Sequence, residues 1–213
     1  LNRRTGHYLV SMRAVILISG HGSNLQSLID NADKINLEIC SVISNNRDAF
    51  GLRRAEVANI ETHFVNPSLF DSKDDFDKEL ISIIDELDVS LIVLAGYMKI
   101  LSSEFISHFS GKILNIHPSL LPKFPGLNTH QKAIDAEVKY HGASVHFVTE
   151  ELDGGPVISQ EIVEVDSKDT EYSLAQKVLE KEHILYPKVI HWYTQNRLKL
   201  IDKECITLDG KIL

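Results

Sequence analysis

The stretch AVILISGHGSNL, residues 14–25, indicates what kind of fold the chain adopts. Five apolar residues in a row are typical of a buried strand, and a glycine-rich turn follows them directly. After the turn, Leu25, Leu28 and Ile29 recur with helical spacing. The pattern therefore predicts a strand over residues 14–19 and a helix over residues 24–30, which together form the first half of a βαβ unit.

The rest of the chain continues this alternation of strands and helices. The near-continuous apolar run at 89–95 is typical of a central parallel strand covered on both faces, whereas 157–165 alternates and indicates a more exposed strand. Further strands are predicted at 37–43, 62–65, 112–116 and 144–148, helices at 49–58, 71–87 and 173–194, and a hairpin at 198–212 around Asp209-Gly210. We predict an α/β fold with a doubly wound, mostly parallel sheet and a mixed C-terminal part.

Size and charge narrow the class of protein. A chain of 213 residues with 43% hydrophobic content fits one α/β domain with a substantial core. The 22 basic and 30 acidic side chains give a net charge of −8, which argues against a broad nucleic-acid surface. No apolar segment approaches the roughly 20 residues of a membrane span. We predict small-molecule substrates and no nucleic-acid or membrane partner. We make no prediction of the oligomeric state.

The N-terminal stretch is polar and basic and has no apolar core, so we do not expect a secretory signal there. We interpret residues 1–11 as an extension or as residues added ahead of a natural start at Met12, and residues 12–213 as a single domain. Cys40 and Cys205 are far apart and lack metal-ligand spacing, so we expect two reduced thiols in a cytoplasmic protein.

The glycine-rich turn is a candidate anion site. Gly22 permits a tight turn, and Ser23 and Asn24 open a helix whose N–H groups attract a negative charge. Leu25 stands where a dinucleotide motif needs its third glycine, and Ser44-Asn45-Asn46 lacks the acid that would hold a ribose. The pattern favours a single phosphate over a dinucleotide, with an ordinary helix cap as the alternative.

A second stretch, NIHPSLLPKFPG, residues 115–126, carries the candidate chemistry. Asn115 and His117 lie at the end of a predicted strand, where open α/β sheets bind ligands, and residues two apart on a strand face the same side. An amide donates to a developing oxyanion, and an imidazole transfers a proton near neutral pH. We expect the three prolines to brace the loop, and we interpret the other histidines as ordinary surface or core residues.

Asp153 is the candidate partner of His117. A carboxylate beside an imidazole stabilises its protonated form. Asp153 precedes Gly154 and Gly155, which we expect to let the backbone approach a ligand. An ordinary turn aspartate is the alternative.

Five motifs in order, ISGHGSNL, VLAGYMKIL, NIHPSLLPKFPG, HGASVHFVTEELDGGPVI and KEHILYP, resemble the phosphoribosylglycinamide formyltransferases, folate-dependent enzymes of purine biosynthesis. The resemblance covers nearly the whole chain. It implies a Rossmann-like formyltransferase fold and formyl transfer, without a metal, from 10-formyltetrahydrofolate to the amine of glycinamide ribonucleotide. Asn115 and His117 would stabilise and protonate the oxyanion, and Asp153 would keep His117 charged.

The resemblance also implies ligand contacts. The nucleotide phosphate would bind Gly22, Ser23 and Asn24, and the ribose hydroxyls would bind Glu182. The folate would contact Lys73, Met98, Lys99, Ile100, Leu101 and Asn115. Lys73 stands where relatives often carry arginine, so the planar bidentate fork is lost. Asn128 stands where relatives often carry histidine, so any proton transfer at that position would be absent.

Two alternatives stay open. Another folate formyl enzyme, such as formyltetrahydrofolate hydrolase, would share the chemistry, although we expect a hydrolase to carry an additional regulatory domain. A methionyl-tRNA formyltransferase would be expected to add a nucleic-acid-binding domain. A non-catalytic nucleotide- or folate-binding module would need no amide, imidazole and acid together.

Overall fold

The computed structural model describes residues 11–213. Its elements run β1 Met12–Ile18, α1 Ser23–Asn31, β2 Leu37–Ser44, α2 Phe50–Val57, β3 Glu61–Phe64, α3 Lys73–Glu86, β4 Leu91–Leu94, α4 Ser103–His108, β5 Ile113–His117, α5 Thr129–Asp135, β6 Tyr140–Phe147, β7 Val157–Glu164, α6 Glu171–Thr194, β8 Leu198–Leu200, β9 Ile206–Leu208 and β10 Lys211–Ile212. A 3₁₀ turn, Pro67–Leu69, precedes α3. The interpretation of residues 1–11 as an extension falls, apart from Ser11, outside the described residues.

The seven strands β1 to β7 form one sheet in the order β3-β2-β1-β4-β5-β6-β7. The first five strands in this order are parallel to one another. β6 pairs antiparallel with both of its neighbours, β5 and β7. The chain winds from β1 to one edge through β2 and β3, then crosses to β4, so the direction of winding reverses between β1 and β4. Strands β8, β9 and β10 form a separate antiparallel sheet. The predicted fold class is confirmed.

β1 explains why the opening stretch is apolar throughout. Ala14, Ile16 and Ile18 pack with α1 and α6 on one face of the sheet, and Val15 and Leu17 pack with α3 and α4 on the other. All five are fully buried. Because successive side chains on a strand point to opposite faces, a strand covered on both faces needs apolar residues at every position.

Several predicted details were incomplete. Helices α4 and α5 were missed because six or seven residues give too few turns for a clear helical period. β6 begins four residues earlier than predicted, and β5 includes His117. Asp77 of α3 is buried beside Phe76, although the acids in the first turn of that helix are exposed. No helix among the described residues is long and apolar enough to span a bilayer.

The turn after β1 packs backbone to backbone against α2. Gly22 has φ 75°, and a Cβ placed on it would lie 2.6 Å from the Cα of Gly51. The Gly51 N–H donates to the Gly20 carbonyl at 3.1 Å. The close approach of these two backbones holds the turn in place at the end of β1.

Replacing Gly22 with alanine is expected to destabilise the fold. The left-handed conformation alone costs an L-residue about 1–2 kcal/mol, and the contact with Gly51 adds to that cost. We expect urea unfolding to show a loss of about 2 kcal/mol or more for Gly22→Ala. Gly20→Ala is the matched control, because nothing lies within 4 Å of a Cβ at Gly20. Equal losses in the two variants would contradict this account of the turn.

Candidate active site

The candidate site lies at the carboxyl edge of β1, β4 and β5. This edge borders the point where the sheet reverses its winding, which is where open α/β sheets bind ligands. β1 and β5 are separated only by β4, so their ends are about 10 Å apart. A ligand with an anionic group at one end and a reactive group at the other can therefore span them.

The anion end is built by the first turn of α1. Gly22 is the N-cap residue and supplies no side chain to cap the helix, so the first-turn N–H groups keep no side-chain partner there. Arg54, which the sequence analysis did not single out, donates from Nε to the His21 carbonyl at 3.0 Å and lies 4.9 Å from the Phe50 ring centroid. The turn thus has both a helix N-terminus and a neighbouring guanidinium.

Asn24 and Glu182 meet across the fold, although 158 residues separate them. Asn24 Nδ2 donates to Glu182 Oε2 at 2.8 Å. Burial raises the pKa of Glu182 from 4.5 to about 7, and the hydrogen bond from Asn24 acts against this rise. Two residues expected to bind the nucleotide are therefore brought together, with Glu182 buried on α6 rather than exposed on its surface.

His117 is held by a main-chain acceptor. Its Nε2 lies 2.9 Å from the Phe124 carbonyl oxygen, which can only accept a hydrogen bond. Nε2 therefore carries a hydrogen, and Nδ1 is the nitrogen that gains or loses a proton. Nδ1 lies 3.5 Å from Asp153 Oδ2, and the two side chains are only 8% and 9% exposed.

Asp153 is oriented by the same loop. Its Oδ2 accepts a hydrogen bond from the Gly126 N–H at 2.8 Å. The two glycines that follow Asp153 pack closely against the protein. A Cβ on Gly155 would lie 1.8 Å from the Phe147 carbonyl oxygen, and one on Gly154 would meet the Glu151 side chain. The lack of side chains at these two positions thus lets the turn fold back on the protein.

His146 is a member of the site that the sequence analysis missed. Its Nδ1 donates to the Phe147 carbonyl at 2.9 Å, so Nε2 is free to accept from Asn115 Nδ2 at 3.1 Å. Burial lowers the pKa of His146, which favours this neutral form. His146 Nε2 is also 3.8 Å from Asp153 Oδ1. His146 joins the site because the antiparallel register of β5 and β6 pairs it with Asn115, a pairing that the sequence does not display.

The loop after His117 is braced by side chains of β6 and β7. Ser144 Oγ donates to the Ser119 carbonyl at 2.6 Å and accepts from the Leu121 N–H at 3.0 Å. Gln160 donates to the Leu121 carbonyl at 2.9 Å and to Ser144 Oγ at 2.8 Å. The expected bracing by prolines alone was incomplete, because these hydrogen bonds fix the loop backbone.

The segment expected to contact folate follows β4. Met98 and Ile100 are 64% and 61% exposed, so both apolar side chains are accessible to a ligand. Lys99 Nζ lies 5.3 Å from the Phe76 ring centroid. Leu101 differs from the others, because its side chain is buried in the core and only its main chain can face a ligand. Lys73, the first residue of α3, is exposed.

The fold and site thus describe an α/β protein with an anion turn and an acid–imidazole–amide group at one sheet edge. Comparison with known proteins agrees. The formyl transferase family model matches residues 12–190. The chain is 50% identical over 204 residues to the phosphoribosylglycinamide formyltransferase of Escherichia coli K12, which covers 95% of this chain and 96% of the relative.

Two further comparisons extend the match. The trifunctional purine biosynthetic protein adenosine-3 of Homo sapiens is 40% identical over 190 residues, or 88% of this chain and 19% of that protein. The structure of the phosphoribosylglycinamide formyltransferase of Coxiella burnetii in complex with CHES superposes with a TM-score of 0.92 at 46% identity, covering 95% of this chain and 96% of that one. The chain belongs to the formyl transferase family. The expected enzyme class, a formyltransferase, is confirmed.

The buried carboxyl of Glu182 predicts a pH-dependent stability. Its pKa is higher in the folded protein than in the unfolded chain, so the folded state binds more protons between pH 4.5 and 7. Stability is therefore lost as the pH rises through that window, by roughly 3 kcal/mol at most. Glu182→Gln stays neutral, so we expect its melting temperature to exceed that of the wild type at pH 8 and to match it near pH 4.5.

The matched control is Glu180→Gln, at an exposed position on the same helix. We expect this variant to follow the wild-type pH profile. A Glu182→Gln variant that loses stability with rising pH as steeply as the wild type would show that another group is responsible.

Proposed function

We propose that this protein transfers a formyl group from 10-formyltetrahydrofolate to the amine of glycinamide ribonucleotide in purine biosynthesis. The observation that carries the proposal is the convergence of Asn115, His117 and Asp153 about two strands away from an anion-binding turn. Its support from comparison is the 50% identity, over 95% of the chain, to a phosphoribosylglycinamide formyltransferase.

The nucleotide is proposed to bind at the β1 side of the edge. Its phosphate would accept hydrogen bonds from the first-turn amides at Gly22, Ser23 and Asn24. Glu182 would accept from the ribose hydroxyls, since its carboxyl already faces the turn through Asn24. Arg54 adds a positive charge beside the phosphate.

The folate is proposed to lie along the segment after β4. The exposed side chains of Met98 and Ile100 offer an apolar surface suited to a flat ring system. Lys99 and Lys73 are placed to attract the carboxylates of the folate tail, and the main chain of Leu101 offers polar groups. Bound there beside Asn115, the folate would supply the formyl group.

The catalytic roles follow from the hydrogen-bond geometry. Asn115 uses one Nδ2 hydrogen for His146, and the second remains to donate to an oxyanion. His117 donates from Nδ1, the nitrogen that Phe124 leaves free. Asp153, 3.5 Å away, stabilises the protonated ring.

The attacking amine loses a proton as the new C–N bond forms, and the folate nitrogen gains one as the old bond breaks. We propose that the His117–Asp153 pair handles this proton, since it is the buried acid–base pair beside Asn115. Holding the amine and the formyl carbon in contact supplies much of the rate enhancement. The scheme requires neither a covalent intermediate with the protein nor a metal.

The same proposal includes residues 12–213 as one formyltransferase domain, a cytoplasmic location and exclusively small-molecule substrates. The family match over residues 12–190 supports the first part. The net charge of −8 supports the last, since nucleic-acid partners favour basic surfaces.

A folate-release assay tests the proposed function. The protein is mixed with glycinamide ribonucleotide and a 10-formyl folate, and absorbance reports the deformylated product. We expect release that depends on the nucleotide. Release without nucleotide would favour a hydrolase, and binding of both ligands without release would favour a non-catalytic module; either result would overturn the proposal.

His117→Ala and Asp153→Ala are each expected to lower turnover by about two orders of magnitude or more, because each removes part of the proton-transfer pair. The nucleotide Kd should change little, since neither side chain lies at the anion turn. His108→Ala, at an exposed histidine paired with Asp85, is the control and should retain wild-type turnover. Wild-type turnover in either active-site variant would refute the assigned roles.

A further inference from the structure

Asp77 is a buried acid that the proposed mechanism does not use. It lies on the apolar face of α3, between Phe76 and Leu80, and is only 2% exposed. Burying a carboxylate is costly unless hydrogen bonds compensate. A carboxylate buried at this position therefore needs a hydrogen-bond donor.

The partner is the main chain of the segment after β4. Asp77 Oδ2 accepts a hydrogen bond from the Ser102 N–H at 2.5 Å, in a fully buried contact. Ser102 is the N-cap of α4, and its own Oγ accepts from the Phe105 N–H at 3.2 Å. A negative charge here also suits the N-terminus of α4. Asp77 therefore fixes the point where the segment ends and α4 begins.

The other end of the segment is fixed as well. The Met98 N–H donates to Ser19 Oγ at 2.8 Å, and Ser19 Oγ donates to Asn45 Oδ1 at 2.6 Å. Between these anchors, Lys99 lies over the ring of Phe76, the neighbour of Asp77 on α3. Residues 98–102 are thus held at both ends and in the middle, while Met98 and Ile100 face outward.

Asp77 also acts at Tyr97, just ahead of the segment. Burial raises the pKa of the Tyr97 hydroxyl, and the nearby Asp77 carboxylate raises it further. The hydroxyl has no hydrogen-bond partner in the described part of the chain. It therefore stays neutral beside the carboxylate, and Ser102 remains the hydrogen-bond anchor of Asp77.

We propose that Asp77 is a positioning residue for folate binding: by holding the Ser102 main chain, it sets the shape of the surface that Met98 and Ile100 present. In this proposal Asp77 acts on folate binding indirectly, through the main chain of the segment. The proposal rests on the proposed function to the extent that folate binds along residues 98–102. It predicts that loss of Asp77 affects folate and leaves the anion turn at the end of β1, which packs against Gly51 of α2, unchanged.

The test compares Asp77→Ala, which removes the acceptor, with Asp77→Asn, which keeps one. The affinity for 10-formylfolate is measured by calorimetry, alongside the KM for the folate, kcat, the nucleotide Kd and the melting temperature. For Asp77→Ala we expect folate affinity to fall about tenfold and its KM to rise equally, since one buried hydrogen bond to a charged group is lost. The kcat at saturating folate and the nucleotide Kd should stay within about twofold.

Asp77→Asn should recover most of the folate affinity, because its amide oxygen can accept from Ser102. Glu86→Leu, at an exposed acid of the same helix, is the control and should bind folate like the wild type. If Asp77→Ala fails to fold, Ser102→Pro removes the donor instead, and the φ of −72° at Ser102 suits proline. It should show the same selective loss of folate affinity.

Unchanged folate affinity in both Asp77→Ala and Ser102→Pro would overturn the proposal, as would parallel losses of folate and nucleotide affinity. The two proposals can fail separately. A wild-type protein that binds folate but shows no nucleotide-dependent release would defeat the proposed function while Asp77 is still tested by calorimetry. A wild-type protein that binds no folate would overturn the role of Asp77.

Discussion

The burial of β1 on both faces is the constraint on which the rest of the molecule depends. Five consecutive side chains of this strand are fully buried, so the strand itself can carry no polar chemistry. After these five residues, the first polar groups follow at Ser19 and the glycine turn. β4 is apolar in the same way, and the carboxyl ends of the central strands line up as one edge of the sheet.

The change from parallel to antiparallel pairing, between β5 and β6, forms the part of the candidate site around Asn115 and His117. It places His146 opposite Asn115 and Ser144 opposite His117. The turn after β6 then returns Asp153 to the same place. A parallel strand would need a long crossover and would carry its next turn to a different position. The convergence of Asn115, His117 and Asp153 thus depends on one antiparallel pairing within a mostly parallel sheet.

The sequence predicted the elements with strong periodicity and the residues with distinctive chemistry. It could not reveal His146, Ser144 or Asp77, because their importance lies in contacts across strands or between a helix and a loop. Asp77 on α3 is the same residue type as the exposed aspartates beside it, and only its packing in the structure distinguishes it from them. The close packing of Gly155 against the Phe147 main chain was likewise not visible in the sequence, because it too depends on a contact between distant parts of the chain.

The hydrogen bond from His117 to Phe124 joins the imidazole ring to a main-chain oxygen. Every residue type carries that oxygen, so no substitution at position 124 can delete it. The tautomer of the imidazole is in this sense protected from sequence drift, and it depends only on the path of the backbone. Substitutions in the loop can thus change its side chains and its outer surface without changing which nitrogen of His117 carries the hydrogen.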